Sequence, residues 1–138
     1  MVKIYASEKG EGKTKLLIDM ANKAVGECGG DVVYIDDDKR PIFDLKHEIR
    51  FVEVKEFPFE NYRELIQFIY GIFSQNNDIK QIYLDGIFKL IRNVGDEDFI
   101  KLISKLKAIG ESNEAEFIIA ANKLPSDLPK EISEFVVK

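Results

Sequence analysis

The sequence has 138 residues, which is a typical size for one domain, and its 45% hydrophobic and 33% charged residues form a globular mixture. The formal net charge is −5 and no basic stripe is visible, so binding to nucleic acid is not expected. The single cysteine, Cys28, excludes an intrachain disulfide and favours a reduced, cytoplasmic setting. The charged N-terminus is unlike a signal peptide, and no apolar run approaches the roughly 18 residues that span a bilayer.

The first predicted elements are a strand and a helix joined by a glycine-containing loop. Val2–Ala6 alternates apolar and polar residues, which predicts a short strand, and a helix is expected to begin at Gly12. The apolar stripe of this helix follows the spacing of three and four residues: Leu16, Leu17, Met20, Ala21, Ala24 and Val25. The segment 28–30, Cys-Gly-Gly, is expected to end the helix, because glycine tolerates the left-handed cap conformation.

The remaining segments continue this alternation. Further strands are predicted at 31–35, 49–54, 81–85 and 117–121, with a last short strand at 135–137. A helix is predicted at 61–74, and one helical region capped by Asp96 is predicted between Asp85 and Asn122. The alternation predicts an α/β three-layer sandwich with a mainly parallel sheet over residues 1–138. In such sheets the ligand site lies beyond the carboxyl ends of the strands.

The strongest local signal is the segment 7–14, which reads Ser-Glu-Lys-Gly-Glu-Gly-Lys-Thr between a predicted strand and a predicted helix. Backbone N–H groups in such a loop point into one concave space, and the helix N-terminus adds about half a positive charge. The segment resembles the Walker A motif of P-loop NTPases, with serine at the position of the first glycine. The alternative interpretation is a strand–turn–helix junction with an accidental Gly-Lys-Thr.

This resemblance implies a role for each residue of the loop. Lys13 would contact the β- and γ-phosphates and take part in catalysis, and the Thr14 hydroxyl would ligate Mg²⁺. The residues expected to surround the nucleotide phosphates are Ser7, Lys9, Gly10, Glu11, Gly12, Lys13, Thr14 and Lys15.

A second motif follows in the segment 82–85, which reads Ile-Tyr-Leu-Asp and resembles Walker B. The resemblance implies that Asp85 holds Mg²⁺ through a water, opposite Thr14. The alternative is an ordinary strand that meets a turn. Many P-loop ATPases carry a catalytic glutamate directly after this aspartate, whereas this chain has Gly86.

Another candidate for the catalytic base follows the strand at 31–35. In the RecA-like branch of P-loop proteins the base lies in a segment that reads roughly I-D-x-E, and 35–38 reads Ile-Asp-Asp-Asp. Asp38 therefore takes the place of the glutamate, with a side chain shorter by one methylene. The alternative is a solvated acidic turn.

The order of these parts resembles a minimal RecA-like P-loop NTPase core over nearly the whole chain, with Asn122 at the position of a polar sensor of the γ-phosphate. The resemblance implies Mg²⁺-dependent binding of ATP or another nucleoside triphosphate, with slow hydrolysis or hydrolysis that depends on a protein partner or a homo-oligomer. Segments that bind DNA in recombinases are not recognisable. Two alternatives stay open, namely a regulatory module that binds nucleotide without hydrolysis and a small group-transfer enzyme such as a nucleotide kinase or an adenosyltransferase.

Two groups of residues are not assigned to the site. His47 is the only histidine, so a metal site built on histidine or cysteine is excluded, and His47 itself is expected on the surface. Phe51, Phe57 and Phe59 are expected in the core or at a sheet edge, with a partner surface or a base-stacking platform as the alternative.

Overall fold

The computed structural model describes residues 1–138. It contains five strands, β1 (Val2–Ala6), β2 (Asp31–Asp36), β3 (Arg50–Glu53), β4 (Ile79–Leu84) and β5 (Glu116–Ala121). Its four α-helices are α1 (Lys13–Ala24), α2 (Tyr62–Gln75), α3 (Ile87–Leu90) and α4 (Asp96–Asn113). Three short 3₁₀ segments lie at Arg40–Phe43, Pro125–Asp127 and Lys130–Phe135. None of the helices combines the length and the apolar character that crossing a membrane requires.

The strands form one sheet in the order β1-β5-β4-β2-β3, and every neighbouring pair is parallel. All carboxyl ends therefore meet at one edge, which confirms the predicted parallel sheet. β5 lies between β1 and β4, so the strand before the segment 7–14 and the strand before Asp85 are separated by one strand. Neighbouring strands lie about 4.8 Å apart, which puts β1 and β4 about 10 Å apart.

The two faces of the sheet bury separate cores. Along β2, Val33 and Ile35 face a cluster of 29 buried residues, whereas Val32 and Tyr34 face a cluster of 10. The larger cluster contains the apolar faces of α2 and α4, and the smaller one contains that of α1. Helices thus cover both faces, as the predicted three-layer sandwich requires.

The buried face of α1 differs from its predicted stripe. Leu17, Ala21 and Ala24 are buried as expected, but Leu16 is 41% exposed and Ile18 is only 8% exposed. The helix packs against the sheet along a narrow stripe centred on Leu17 and Ala21. Ile18 lies about 100° around the helix from Leu17 on the same side as Ala21 and is covered, whereas Leu16 lies about 100° on the opposite side and falls outside the stripe.

Two other predicted elements are corrected. Asp96 is the first residue of α4 and does not cap it: Gly95 precedes the helix, and no side chain caps it. The region between Asp85 and Asn122 also holds a second helix, the short α3, whose Ile87 and Leu90 are fully buried. Too few residues form α3 for a periodic pattern to reveal it.

The predicted last strand at 135–137 is also wrong. The chain there leaves a 3₁₀ segment, and Val136 forms a single parallel bridge with Ile4. The Val137 N–H donates to the Ile4 carbonyl at 2.8 Å, which covers the outer edge of β1 at one point only.

Candidate functional site

The loop between β1 and α1 opens to solvent at the carboxyl edge of the sheet. Gly10 and Gly12 have φ angles of +91° and +80°, a region that side chains with a Cβ rarely adopt. A Cβ built on either glycine would meet no atom within 4 Å, so the space above the loop is free. Glycine is therefore needed here for the backbone conformation, and the loop residues Glu8–Gly12 are exposed to solvent.

Lys13 folds back over this loop. Its Nζ donates hydrogen bonds to the Ser7 carbonyl at 2.9 Å, to Ser7 Oγ at 2.9 Å and to the Glu8 carbonyl at 2.8 Å. The side chain is only 8% exposed, and this burial lowers the pKa of Lys13, against the opposing charges of Glu11 and Asp85. A positive charge is therefore held inside the loop, close enough to Asp85 to interact with it.

The other charged loop residues point elsewhere or into solvent. Lys9 and Glu11 are exposed, and Lys15 Nζ contacts Asp19 Oδ2 at 3.0 Å, one turn further along α1. Thr14 is exposed at the start of α1 and lines a neighbouring cleft. Lys13 is therefore the charged side chain held inside the loop, Thr14 lies at the start of α1 beside the cleft, and Lys15 pairs along the helix surface.

Asp85 follows β4 and is held by a buried tyrosine. Tyr34 donates its hydroxyl to Asp85 Oδ2 at 2.7 Å, and Asp85 itself is only 3% exposed. The Tyr34 ring is fully buried and stacks between Tyr83, at 5.7 Å between ring centroids, and Phe51, at 6.2 Å. Burial, followed by the charge of Asp85, raises the pKa of Tyr34 far above its usual range, so the hydroxyl remains a donor. One oxygen of Asp85 is thus fixed in place.

Asp36 is a second buried carboxylate beside Asp85, and the sequence did not single it out. It ends β2, is 3% exposed and accepts a hydrogen bond from the Asp37 N–H at 2.7 Å. Burial, followed by the charge of Asp85, raises the pKa of Asp36 to about 8. The available signal was its position, because Asp36 directly continues the apolar run of a buried strand and Asp38 does not.

This raised pKa predicts a specific pH dependence of stability. Between the usual value of 3.8 and about 8, the folded protein binds more protons at Asp36 than the unfolded chain does. The free energy of unfolding therefore falls as the pH rises through this range. We expect Asp36→Asn to be more stable than the wild type by at least about 1 kcal/mol near pH 8, with the gain vanishing near pH 4. Urea unfolding in metal-free buffer measures this, and a gain that is independent of pH would contradict the assignment.

A cleft of about 330 Å³ lies between the start of α1 and the end of β2. Lys89, on α3, lies in this cleft, with its Nζ 3.2 Å from Asp37 Oδ1. Burial disfavours the charge of Lys89, but Asp37 and Asp36 outweigh this and raise its pKa. The cleft is lined by Thr14, Ile18, Asp36, Asp38, Arg40, Pro41, Asp44 and Lys89.

Asp38 lines the same cleft and forms an ion pair with Arg40. Arg40 Nε and Nη2 each lie 2.6 Å from Asp38 Oδ2, and the Arg40 backbone N–H donates to Oδ1 at 2.9 Å. The hydrogen bonds from Arg40 hold the pKa of Asp38 below its usual value, so the carboxylate is ionised at neutral pH. Asn122 follows β5, the strand between β1 and β4, and is half-buried there.

The residues predicted to take part in catalysis or to hold the metal therefore lie at the carboxyl ends of the strands. Lys13 and Thr14 begin α1, whereas Asp38, Asp85 and Asn122 follow three neighbouring strands. The hydroxyl of Thr14 and the free oxygen of Asp85 are hard ligands of the kind that Mg²⁺ takes, usually with several waters and substrate phosphates. His47 lies on the surface as expected, with its side chain 96% exposed.

The fold is shared with a known structure. The chain is similar to the crystal structure of a KaiC-like protein from the hyperthermophilic archaeon Pyrococcus horikoshii OT3, with a TM-score of 0.69 and 19% sequence identity. This chain has a RecA-like fold. The match covers 97% of this chain and 66% of the archaeal chain, so the present sequence spans just under two thirds of that protein. No protein-family profile matches the sequence, and no curated protein matches it.

Proposed function

We propose that residues 1–138 form one domain that binds ATP, or another nucleoside triphosphate, together with Mg²⁺ at the carboxyl edge of the sheet. The observation that carries this proposal is Lys13, whose charge lies inside a loop shaped by two left-handed glycines and open to solvent. The N-terminus of α1, a helix of 12 residues, adds its dipole to the same place. This combination suits a polyphosphate.

The individual roles follow from the positions of the side chains. The phosphates contact the backbone N–H groups of the loop and Lys13, which exchanges its bonds to Ser7 and Glu8 for bonds to phosphate oxygens. Thr14 and Asp85 are the residues that would hold Mg²⁺, which when bound would neutralise part of the phosphate charge. In this proposal Asn122 would sense the terminal phosphate, and Asp38 would orient the attacking water.

Thermal unfolding with and without nucleotide tests the proposal. Mg-ATP or Mg-ADP at about one hundred times its Kd should add about 2.7 kcal/mol to the free energy of unfolding and raise the thermal midpoint. Lys13→Ala serves as the negative control, and sodium tripolyphosphate shows how much of the shift the phosphates alone produce. An unchanged midpoint with every nucleotide at millimolar concentration would refute nucleotide binding.

Tyr34 should strengthen Mg²⁺ binding, because its hydroxyl orients Asp85. Loss of a partner that orients a metal ligand typically weakens metal affinity by about 10- to 100-fold, so we expect Tyr34→Phe to raise the Mg²⁺ concentration needed for ATP binding about tenfold. Tyr83→Phe is the matched control, because it also removes a buried hydroxyl, whose hydrogen bond goes to Gln81 and not to Asp85. Equal Mg²⁺ requirements in the two variants would contradict this role of Tyr34.

We further propose that ATP hydrolysis by the isolated chain is slow, well below the enzyme median of about 10 s⁻¹. Gly86 leaves no side chain directly after Asp85, and Asp38 is already engaged by Arg40. If Asp38 orients the attacking water, Asp38→Asn should reduce turnover at least tenfold, since general bases contribute about 10²–10⁴-fold. Phosphate release measured with both proteins checks this. Equal rates would remove Asp38 from the mechanism, and no release at all would favour a regulatory module that only binds nucleotide.

An activating partner has a candidate contact beside the cleft. Ile42 and Phe43 are 48% and 80% exposed in the Arg40–Phe43 turn, next to Arg40. Asn22 fixes the chain after this turn to α1, because it donates to the Asp44 carbonyl and accepts from the Lys46 N–H, both at 2.8 Å. If the partner is a second copy of the chain, turnover per molecule should rise with protein concentration, and Phe43→Ser should remove that rise.

A further inference from the structure

Gly86 makes room for a lysine. It has a φ angle of +71°, and a Cβ built on it would lie 2.5 Å from Lys89 Cε. The next close atoms are Nζ and Cδ of the same side chain, at 3.3 and 3.7 Å. The position that carries a glutamate in many ATPases therefore has no side chain here, and the Lys89 stem occupies the space beside it.

The end of this side chain lies among carboxylates and faces the cleft. Lys89 Nζ is 3.2 Å from Asp37 Oδ1, and the charges of Asp37, Asp36 and Asp85 all favour its protonated form. The side chain keeps 44% of its surface exposed. Lys89 thus places an ammonium group on a wall of the cleft that also contains Thr14, at the N-terminus of the helix that follows the loop.

The other cation that lines this cleft is less free to contact a ligand. Arg40 makes two side-chain contacts of 2.6 Å with Asp38, whereas Lys89 makes one ion contact, at 3.2 Å. A lysine ammonium has three donors, so Lys89 can contact Asp37 and still donate to another acceptor. A phosphate that extends from the loop past Thr14 would enter the space that Lys89 faces.

We propose that Lys89 contacts the terminal phosphate of the bound nucleotide from within the same chain and so distinguishes a triphosphate from a diphosphate. This inference rests on the proposed nucleotide binding at the loop. In this arrangement Lys13 contacts the phosphates from the side of β1, and Lys89 contacts the terminal phosphate from the side of β4. Gly86 is then a requirement of the site, because any side chain there would displace Lys89.

The test compares ATP and ADP affinities by calorimetry at saturating Mg²⁺. We expect Lys89→Met to weaken ATP binding about tenfold to 100-fold, as for the loss of a charged hydrogen bond, and to change ADP binding less than about threefold. Gly86→Ala keeps the lysine but displaces it, so this variant should also have a smaller preference for ATP over ADP than the wild type. Lys101→Met is the matched control, because it removes an exposed lysine on α4 that pairs with Glu97.

The outcomes separate this inference from the proposed function. A wild type that binds both nucleotides, together with an unchanged ATP-to-ADP ratio in Lys89→Met, would overturn the role of Lys89 and leave nucleotide binding standing. A wild type that binds neither nucleotide would overturn the proposed function itself. If Lys89→Met shows no cooperative thermal transition, Gly86→Ala decides: a reduced ratio supports the inference and an unchanged ratio overturns it.

Discussion

Replacing Lys13 by alanine is expected to weaken the binding of Mg-ATP by about 30- to 1,000-fold, which corresponds to roughly 2–4 kcal/mol. The reason is the position of the side chain, which is 8% exposed and holds its charge within the loop. Alanine removes the cation and also frees the Ser7 and Glu8 carbonyls that Lys13 holds. Titration with a fluorescent ATP analogue measures the loss.

A remote lysine on the same helix provides the control for this change. Lys23 is exposed in the last turn of α1, and Lys23→Ala should bind Mg-ATP like the wild type. The free Lys13→Ala protein should still unfold cooperatively, because Lys13 belongs to neither apolar core cluster. Wild-type affinity in Lys13→Ala, or loss of the fold, would show that the lysine has another role.

The second large effect is expected from Asp85→Asn, and it has opposite signs for stability and for binding. Asparagine keeps an acceptor for the Tyr34 hydroxyl but removes a charge next to the buried Asp36. In metal-free buffer at pH 9, where Asp36 with its pKa of about 8 is ionised, we expect a gain of about 1–2 kcal/mol in the free energy of unfolding, since one pKa unit of interaction corresponds to about 1.4 kcal/mol. The factor by which Mg²⁺ increases the affinity for ATP should fall at least tenfold, because a neutral amide is a poorer ligand than a carboxylate.

The assignment of Asp85 as a metal ligand holds only if Asp85→Asn both increases the stability and reduces the effect of Mg²⁺ on ATP binding. Asp31→Asn is the control, since Asp31 begins β2 at the opposite edge of the sheet, where it accepts from Asn76 at 2.8 Å. A less stable Asp85→Asn protein would mean that the carboxylate is needed for the fold. A more stable protein with an unchanged Mg²⁺ requirement would mean that the metal is held elsewhere.

The fold was predictable where a local pattern determines it. The strands at 31–35, 81–85 and 117–121 are apolar runs between polar or glycine-containing turns, and each became a strand within one or two residues of its predicted bounds. The order of the strands was not predictable, because alternation of strands and helices does not say that β5 lies between β1 and β4. The bridge at Val136 likewise depends on a contact with Ile4 that is distant in sequence.

The candidate site was likewise predictable only where a local motif identifies its residues. Lys13, Thr14 and Asp85 belong to local motifs, so their positions at one edge of the sheet could be anticipated. Tyr34 and Lys89 could not be identified, because their place in the site depends on which strands are neighbours. The register pairs Tyr34 with Tyr83, and only this pairing brings the Tyr34 hydroxyl to the residue that follows β4.

The position of β1 also bears on when the site can form during synthesis. Within the sheet β1 pairs only with β5, from Val2 opposite Phe117 to Ala6 opposite Ala121, and its first contacts join Met1 to Ala115 and Phe117. Closing so long a loop is entropically costly, and none of the strands β2 to β4 pairs with β1. A nascent chain that has not yet emerged beyond β4 therefore carries the whole loop sequence without the strand that anchors it. If the chain binds nucleotide as proposed, capture of nucleotide would thus report that β5, through residue 121, has emerged from the ribosome, and shorter products would remain unliganded.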